Sequence, residues 1–296
     1  LKQSFISTQN SFVKQSKIAL VTYFAPGTSY EARLEPMVSA NKRAYAAANG
    51  YDFINAFEFV DIKKDYEEHL IMHYSPASHY FKLRLIPYLF RKYNYEWIMW
   101  CDGDAIFLNH SKKIEPYLDT NYDIILTSDP PANQKWFKVI NTGNFFVKNS
   151  PWTIKFFYQA YGLSFANCME YFEHRPIING WLNICESRER HLLADQRVLQ
   201  YYISYAPHEL YGCHFKLVHF YNFNSEFPNY LPGDVVVHFP GRPMSDKVRL
   251  IKAMLENCDH SNGNVNFTKA PELKPNYDAV RYENSAFDSV NRKCVK

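Results

Sequence analysis

The stretch Trp97-Ile98-Met99-Trp100-Cys101-Asp102-Gly103-Asp104-Ala105 restricts this chain more than any other. An apolar run without a polar face fits a strand buried on both sides, as at the centre of a parallel sheet. Two carboxylates, one residue apart, follow it directly. In open α/β sheets, ligands gather beyond the carboxyl ends of such strands. The glycine between the acids lets the backbone bend, so that both carboxylates can face one ion. Hard oxygen donors of this kind suit Mn²⁺ or Mg²⁺, whose shells water and phosphate oxygens complete. An ordinary polar turn would carry the same two acids. The buried strand before them and Ala105-Ile106-Phe107 after them strengthen the metal reading, and the turn stays open as the alternative.

The flanking pattern alternates strand and helix. Apolar runs at residues 18–24, 51–54, 123–127, 144–147 and 233–239 read as strands. Residues 33–49 read as a helix closed by Gly50, and residues 79–93 as a helix that Pro87 kinks or divides. Residues 151–161 read as a helix with Ser150 as cap and Pro151 at its first position. Further helices are read at residues 192–205 and 245–257. This order predicts an α/β fold with a mixed, mostly parallel central sheet and helices on both faces. Residues 1–16 read as a polar lead-in, 17–257 as the enzyme domain and 258–296 as an arm or linker rich in Asn, Lys, Pro and Ser.

Composition narrows the classes. Lys and Arg number 33 against 30 Asp and Glu, a net charge of +3 without a long basic run, so neither nucleic acid nor an anionic membrane is implied. No run of apolar residues is long enough to span a bilayer. The chain starts at Leu1 and reads as a fragment or an excised domain, from which a signal anchor could have been removed. The six cysteines show neither CxxC pairs nor zinc-like spacing with His, and they do not establish a disulfide framework. Two N-x-S/T sequons, at Asn109 and Asn266, point weakly to a secretory compartment. Glycine-rich dinucleotide loops, Walker loops, GxSxG and HExxH are all missing from the sequence.

Four other clusters can carry chemistry. His238, within Val235-Val236-Val237-His238-Phe239-Pro240-Gly241-Arg242, is either a hydrogen-bonded core histidine or a third metal ligand, and the loop with Arg242 suits phosphate. Asn141-Thr142-Gly143-Asn144 either makes a turn before a strand or binds sugar hydroxyls. Asp195-Gln196 opens a helix, where Asp195 would by default serve as cap and dipole partner. Lys82 and Arg84 would by default sit on a solvated helix face.

Taken in order, these blocks resemble glycosyltransferase family 34, which contains fungal α-galactosyl- and α-mannosyltransferases and plant xyloglucan α-xylosyltransferases. The similarity lies in the Trp-Ile run with Asp102-Gly103-Asp104-Ala105, in Asn141-Thr142-Gly143 through Trp152, in Asp195-Gln196, in His238-Phe239-Pro240-Gly241 and in Gly50-Tyr51-Asp52. The resemblance implies a GT-A fold, a UDP-sugar donor with Mn²⁺ (Mg²⁺ as the alternative), a glycan acceptor and transfer with retention to an α-linkage. It implies that Asp102, Asp104 and His238 bind the metal. Gly103, Gly143, Gly241, Arg242 and Lys82 would approach the nucleotide and diphosphate, and Asn141, Asp195 and Gln196 the reaction centre. Galactose is the favoured donor sugar, with xylose or mannose as alternatives, and a non-catalytic carbohydrate-binding protein is the alternative to an enzyme. Golgi residence is expected, or the cytoplasm for a viral or bacterial relative. Arg242-Pro243 departs from the family's Cys and basic residue after the last glycine, and residues 163–190 do not align.

Overall fold

The computed structural model describes residues 16–24, 29–56, 77–128, 140–164, 195–204 and 206–276. Its centre is a six-stranded sheet of order β2-β1-β3-β6-β5-β7, made of β1 (Ile18–Thr22), β2 (Asp52–Asn55), β3 (Trp97–Cys101), β5 (Ile124–Ser128), β6 (Ile140–Lys148) and β7 (Phe215–Val218). β1 runs parallel to both β2 and β3, and β5 parallel to β7. Only β6 is reversed, antiparallel to β3 and β5. The sheet is therefore mixed and mostly parallel, as expected. A smaller sheet of order β4-β9-β8 joins β4 (Ala105–Phe107), β8 (Ser225–Glu226) and β9 (Val236–His238).

The period-two alternation of the strands divides the core between two faces. Ala19, Val21, Ile98, Trp100, Phe145 and Val147 point to one face, with buried residues of α3 (Ala77–Lys92), α4 (Pro151–Ser164) and α5 (Asp195–Ser204). Ile18, Leu20, Trp97, Met99 and Phe146 point to the other, with Tyr45 and Ala46 of α2 (Glu35–Asn49), which follows the short α1 (Ser29–Arg33), and Phe107 and Val236 of the small sheet. Both faces of β3 are covered, which is why its sequence has no polar side. Each such large apolar side chain contributes about 1.5–3 kcal/mol on burial.

Local signals act as expected at several ends. Gly50 closes α2 at φ 73°, its N–H donating to Ala46 O. Ser150 Oγ accepts the Thr153 N–H at 3.1 Å at the start of α4. Pro87 neither ends nor divides α3, which continues to Lys92. The strand expected at residues 144–147 begins at Ile140, so Asn141-Thr142-Gly143 lies inside β6 and not in a turn before it. The cause is tertiary: Ile140 and Asn141 pair with Ser128 and Thr127 of β5 across a register shift. The stretch after α6 (Met244–Asn257), read from composition as an arm, forms the hairpin β10 (Cys258–Asp259) and β11 (Asn264–Val265). Val265, Ala270 and Leu273 then join Leu250, Ile251 and Met254 in a third buried cluster. Residues 1–15 and 277–296 lie outside the described residues. Among the described residues, no helix is long and apolar enough to cross a membrane.

Candidate active site

In the large sheet β2 and β3 flank β1 on opposite sides, so the strand order reverses beside β1 and opens a crevice beyond its carboxyl end. Asp102-Gly103-Asp104 lies at that crevice and is the seam between the two sheets, since β3 ends at Cys101 and β4 begins at Ala105. The antiparallel register of β4 on β9 sets Ala105 opposite His238. Phe239 N–H donates to Asp104 O at 3.0 Å and holds that end of the seam.

One ligand atom each from Asp102, Asp104 and His238 lies within 4.8 Å of the others. Asp104 and His238 are buried, and His238 Nε2 stands 3.2 Å from Asp104 Oδ1. Lys247 of α6, also buried, donates to Asp104 Oδ2 at 2.6 Å and to Tyr30 Oη. Burial opposes ionisation of Asp104, yet His238 and Lys247 outweigh it and hold the carboxyl well below the usual range. Burial pulls His238 down, and the Asp104 carboxylate more than reverses this. His238 Nδ1 is buried with no hydrogen-bond partner. Two carboxylates and an imidazole, one of its nitrogens unsatisfied, are a donor set that fits a divalent cation.

Asp102 is half-buried and differently held. Trp100 Nε1 donates to its Oδ1 at 2.6 Å and Lys82 Nζ at 3.2 Å. Lys82 is buried, contrary to the solvated helix face expected for it, because its stem continues the apolar stripe of α3 that carries Leu85, Ile86 and Leu89. Its ammonium also meets Asp195 Oδ2 at 2.9 Å and Thr142 O at 3.0 Å. Burial lowers the Lys82 pKa, but Asp102 and Asp195 more than compensate and raise it. Asp195, first residue of α5, accepts the Thr142 hydroxyl at 2.8 Å. Gln196 Oε1 accepts the Thr142 N–H at 3.4 Å. Asn141 Oδ1 accepts the Gly143 N–H at 2.7 Å and Asn224 Nδ2 at 2.9 Å.

The two motif glycines are required by close approach. A Cβ on Gly143 would stand 2.1 Å from His238 Cε1, and one on Gly103 would stand 2.8 Å from the Phe24 ring. Gly103 thus admits Phe24 beneath the turn, and the bend expected of it needs no positive φ. Gly241 does have positive φ, 66°, in an exposed turn. Beside it, Arg242 Nη2 donates to Phe227 O at 3.2 Å, with its guanidinium 4.8 Å from the Phe227 ring centre.

The structure thus gathers Asp102, Asp104 and His238, with Gly143 against His238, and joins Lys82, Asp195 and Asn141-Thr142 to the same wall. Sequence reasoning missed Lys247 and Asn224. Lys247 had a signal, because it shares the apolar stripe of Leu250, Ile251 and Met254 on α6; Asn224, in a loop, had none.

Residues 14–136 match the sequence model of the galactosyl transferase GMA12/MNN10 family. No curated protein matches the chain. Among solved structures, a glycosyltransferase involved in glycosylation of the major capsid of PBCV-1 superposes with TM-score 0.55 at 16% identity, covering 79% of this chain and 98% of that one. The galactosyltransferase LgtC, in complex with donor and acceptor sugar analogues, gives TM-score 0.40 at 13% identity, covering 79% and 95%. The family match, which runs from β1 through β5, and the shared architecture agree with the resemblance read from the motifs: this chain is a glycosyltransferase of GT-A fold, whose residues 14–136 match the GMA12/MNN10 galactosyl transferase family model.

Proposed function

We propose that the protein transfers a sugar, galactose for preference, from a UDP-sugar to a glycan acceptor in α-linkage with retention, using Mn²⁺ at Asp102, Asp104 and His238. The observation that carries this reading is the placement of those three donors together at the switch point of the sheet. A divalent cation bound there would offset the negative charge on the departing UDP.

The chain's own groups then have distinct tasks. Lys82 fixes the orientation of Asp102 and neutralises Asp195 at the same time. Asp195 is committed to Lys82 and Thr142. That favours a same-face attack, in which Asp195 and Gln196 organise the reaction centre, over a covalent sugar–Asp195 adduct. The bond from the anomeric carbon to the phosphate oxygen breaks, the acceptor hydroxyl oxygen bonds to that carbon, and its proton passes to the leaving phosphate. Gly241 and Arg242 would border the diphosphate, and Asn141 the donor sugar.

Residence in the Golgi lumen is part of the proposal. It is supported by the disulfide-bonded state of Cys213 and by the exposed sequon at Asn266. Asn109 lends no support, since it is buried and its amide donates to Asn262 O at 2.9 Å.

A panel of UDP-sugars with Mn²⁺, read by UDP release with and without oligosaccharide acceptors, tests the function. The expected result is acceptor-stimulated release, strongest with UDP-galactose and abolished by EDTA, with an α-linked product by NMR. Failure to release UDP from any donor would refute it.

A further inference from the structure

Helix α2 carries two adjacent buried polar residues that the chemistry above leaves unused, Asn41 and Lys42. Lys42 Nζ reaches Thr22 Oγ1 at 2.9 Å, Cys101 O at 3.1 Å and Asp102 O at 2.6 Å. An ammonium has three N–H donors, so these oxygens satisfy it, and none of the three belongs to a carboxylate. The cost of burying the charge shows in its pKa, pulled down by burial to about 8 from 10.5. A methionine would fill the same space at less cost. What the lysine adds is a grip on the last two carbonyls before Gly103.

Asn41 grips the other side. Its Nδ2 donates to Phe107 O at 2.9 Å and its Oδ1 accepts the Phe107 N–H at 2.7 Å. One side-chain amide thus serves the free edge of β4 as a neighbouring strand would, while β9 pairs with the opposite edge. Consecutive residues of one helix therefore hold the entrance of the Asp102–Asp104 turn and the far end of β4, the short strand that leaves it. The Phe24 ring lies under Gly103, with Lys42 Nζ 5.8 Å from its centre.

We propose that Asn41 and Lys42 are positioning residues that set the affinity of this turn for its divalent cation. They do so by fixing the backbone on both sides of the two carboxylates, without touching the ion. The inference rests on the metal reading of Asp102, Asp104 and His238. Clamping removes the turn's freedom to spread its carboxylates, which the bound state would otherwise have to freeze.

The test is a titration of the whole chain with Mn²⁺ alone, free ion read by electron paramagnetic resonance. Lys42→Met is expected to bind about tenfold more weakly, the loss typical of groups that orient metal ligands. Thr22→Val, which removes one acceptor of the ammonium and the hydroxyl's own bond to Cys101 O with little change of shape, should show a smaller loss of the same sign and carries the test if Lys42→Met does not fold. Phe157→Leu, in the cluster on the opposite face of the sheet, should lower thermal stability and leave Mn²⁺ affinity unchanged. Unchanged affinity in folded Lys42→Met, or in Thr22→Val if that variant carries the test, would overturn the inference alone. If the parent chain binds no Mn²⁺, both the inference and the metal reading fall.

Discussion

Asp102 and Asp104 stand one residue apart, yet they belong to different parts of the molecule. Asp102 closes the large sheet, is half-buried, and shares Lys82 with Asp195 of α5. Asp104 opens the small sheet, is buried, and is enclosed by His238 and Lys247. The first carboxylate is wired towards the groups proposed for the reaction centre, the second into a buried charge cluster. The difference teaches that a motif of two equivalent letters can hold two unequal jobs. Loss of Asp104 leaves the buried Lys247 ammonium without its carboxylate and His238 without its partner, whereas loss of Asp102 leaves Lys82 still paired with Asp195.

The largest expected effect breaks the symmetry of the pair in stability. Asp104→Asn and Asp102→Asn should each lower transferase activity by about 10²–10³-fold, the scale for losing a group that stabilises developing charge. Chemical denaturation should separate them: about 3 kcal/mol lost for Asp104→Asn and about 1 kcal/mol for Asp102→Asn. Equal losses would erase the distinction. Next comes Lys82→Met, which strands Asp195 and Asp102 together and should cost about 3 kcal/mol, measured the same way. The double variant Lys82→Met with Asp195→Asn should recover part of that loss, because it removes one of the two stranded charges.

Gly143→Ala sharpens the Asp104 side. Its new methyl meets the His238 ring, so His238 must move, at about 1–3 kcal/mol. Mn²⁺ affinity should fall while the Lys82–Asp195 side stays intact. The smallest effect lies in acid. Asp104 titrates below its ordinary 3.8 in the folded chain, so its contribution to stability is complete above about pH 4 and is lost as pH falls below it. Without metal, Asp104→Asn should flatten the acid limb of the stability curve by up to about 1.4 kcal/mol per pH unit.

Much of this arrangement could be read from the chain. The apolar run before Asp102 has no polar face because both faces of β3 are covered, and that alone predicted a central strand with ligands at its end. His238 was legible because an apolar strand delivers it beside a glycine turn. Lysines proved harder, since composition places them in water. Lys42, Lys82 and Lys247 all sit on the apolar stripes of their helices, beside Val38 and Tyr45, Leu85 and Ile86, and Leu250 and Ile251 respectively. A cation on such a stripe marks a buried acceptor opposite, a signal that periodicity can supply once it is sought. The extension of β6 back to Ile140 was not legible, because pairing with β5 and not local propensity decides it. Nor was the packing of residues 258–276, whose few apolar side chains find a surface that only the finished fold presents.

The central claim, that the seam between the two sheets holds the ion that binds the donor's diphosphate, has a direct test. Crystals of the protein grown with UDP and Mn²⁺ should show an anomalous manganese peak bounded by the carboxylates of Asp102 and Asp104 and the His238 imidazole, with a phosphate oxygen completing its shell. A manganese peak held by other residues, or UDP bound with no peak at this seam, would contradict it.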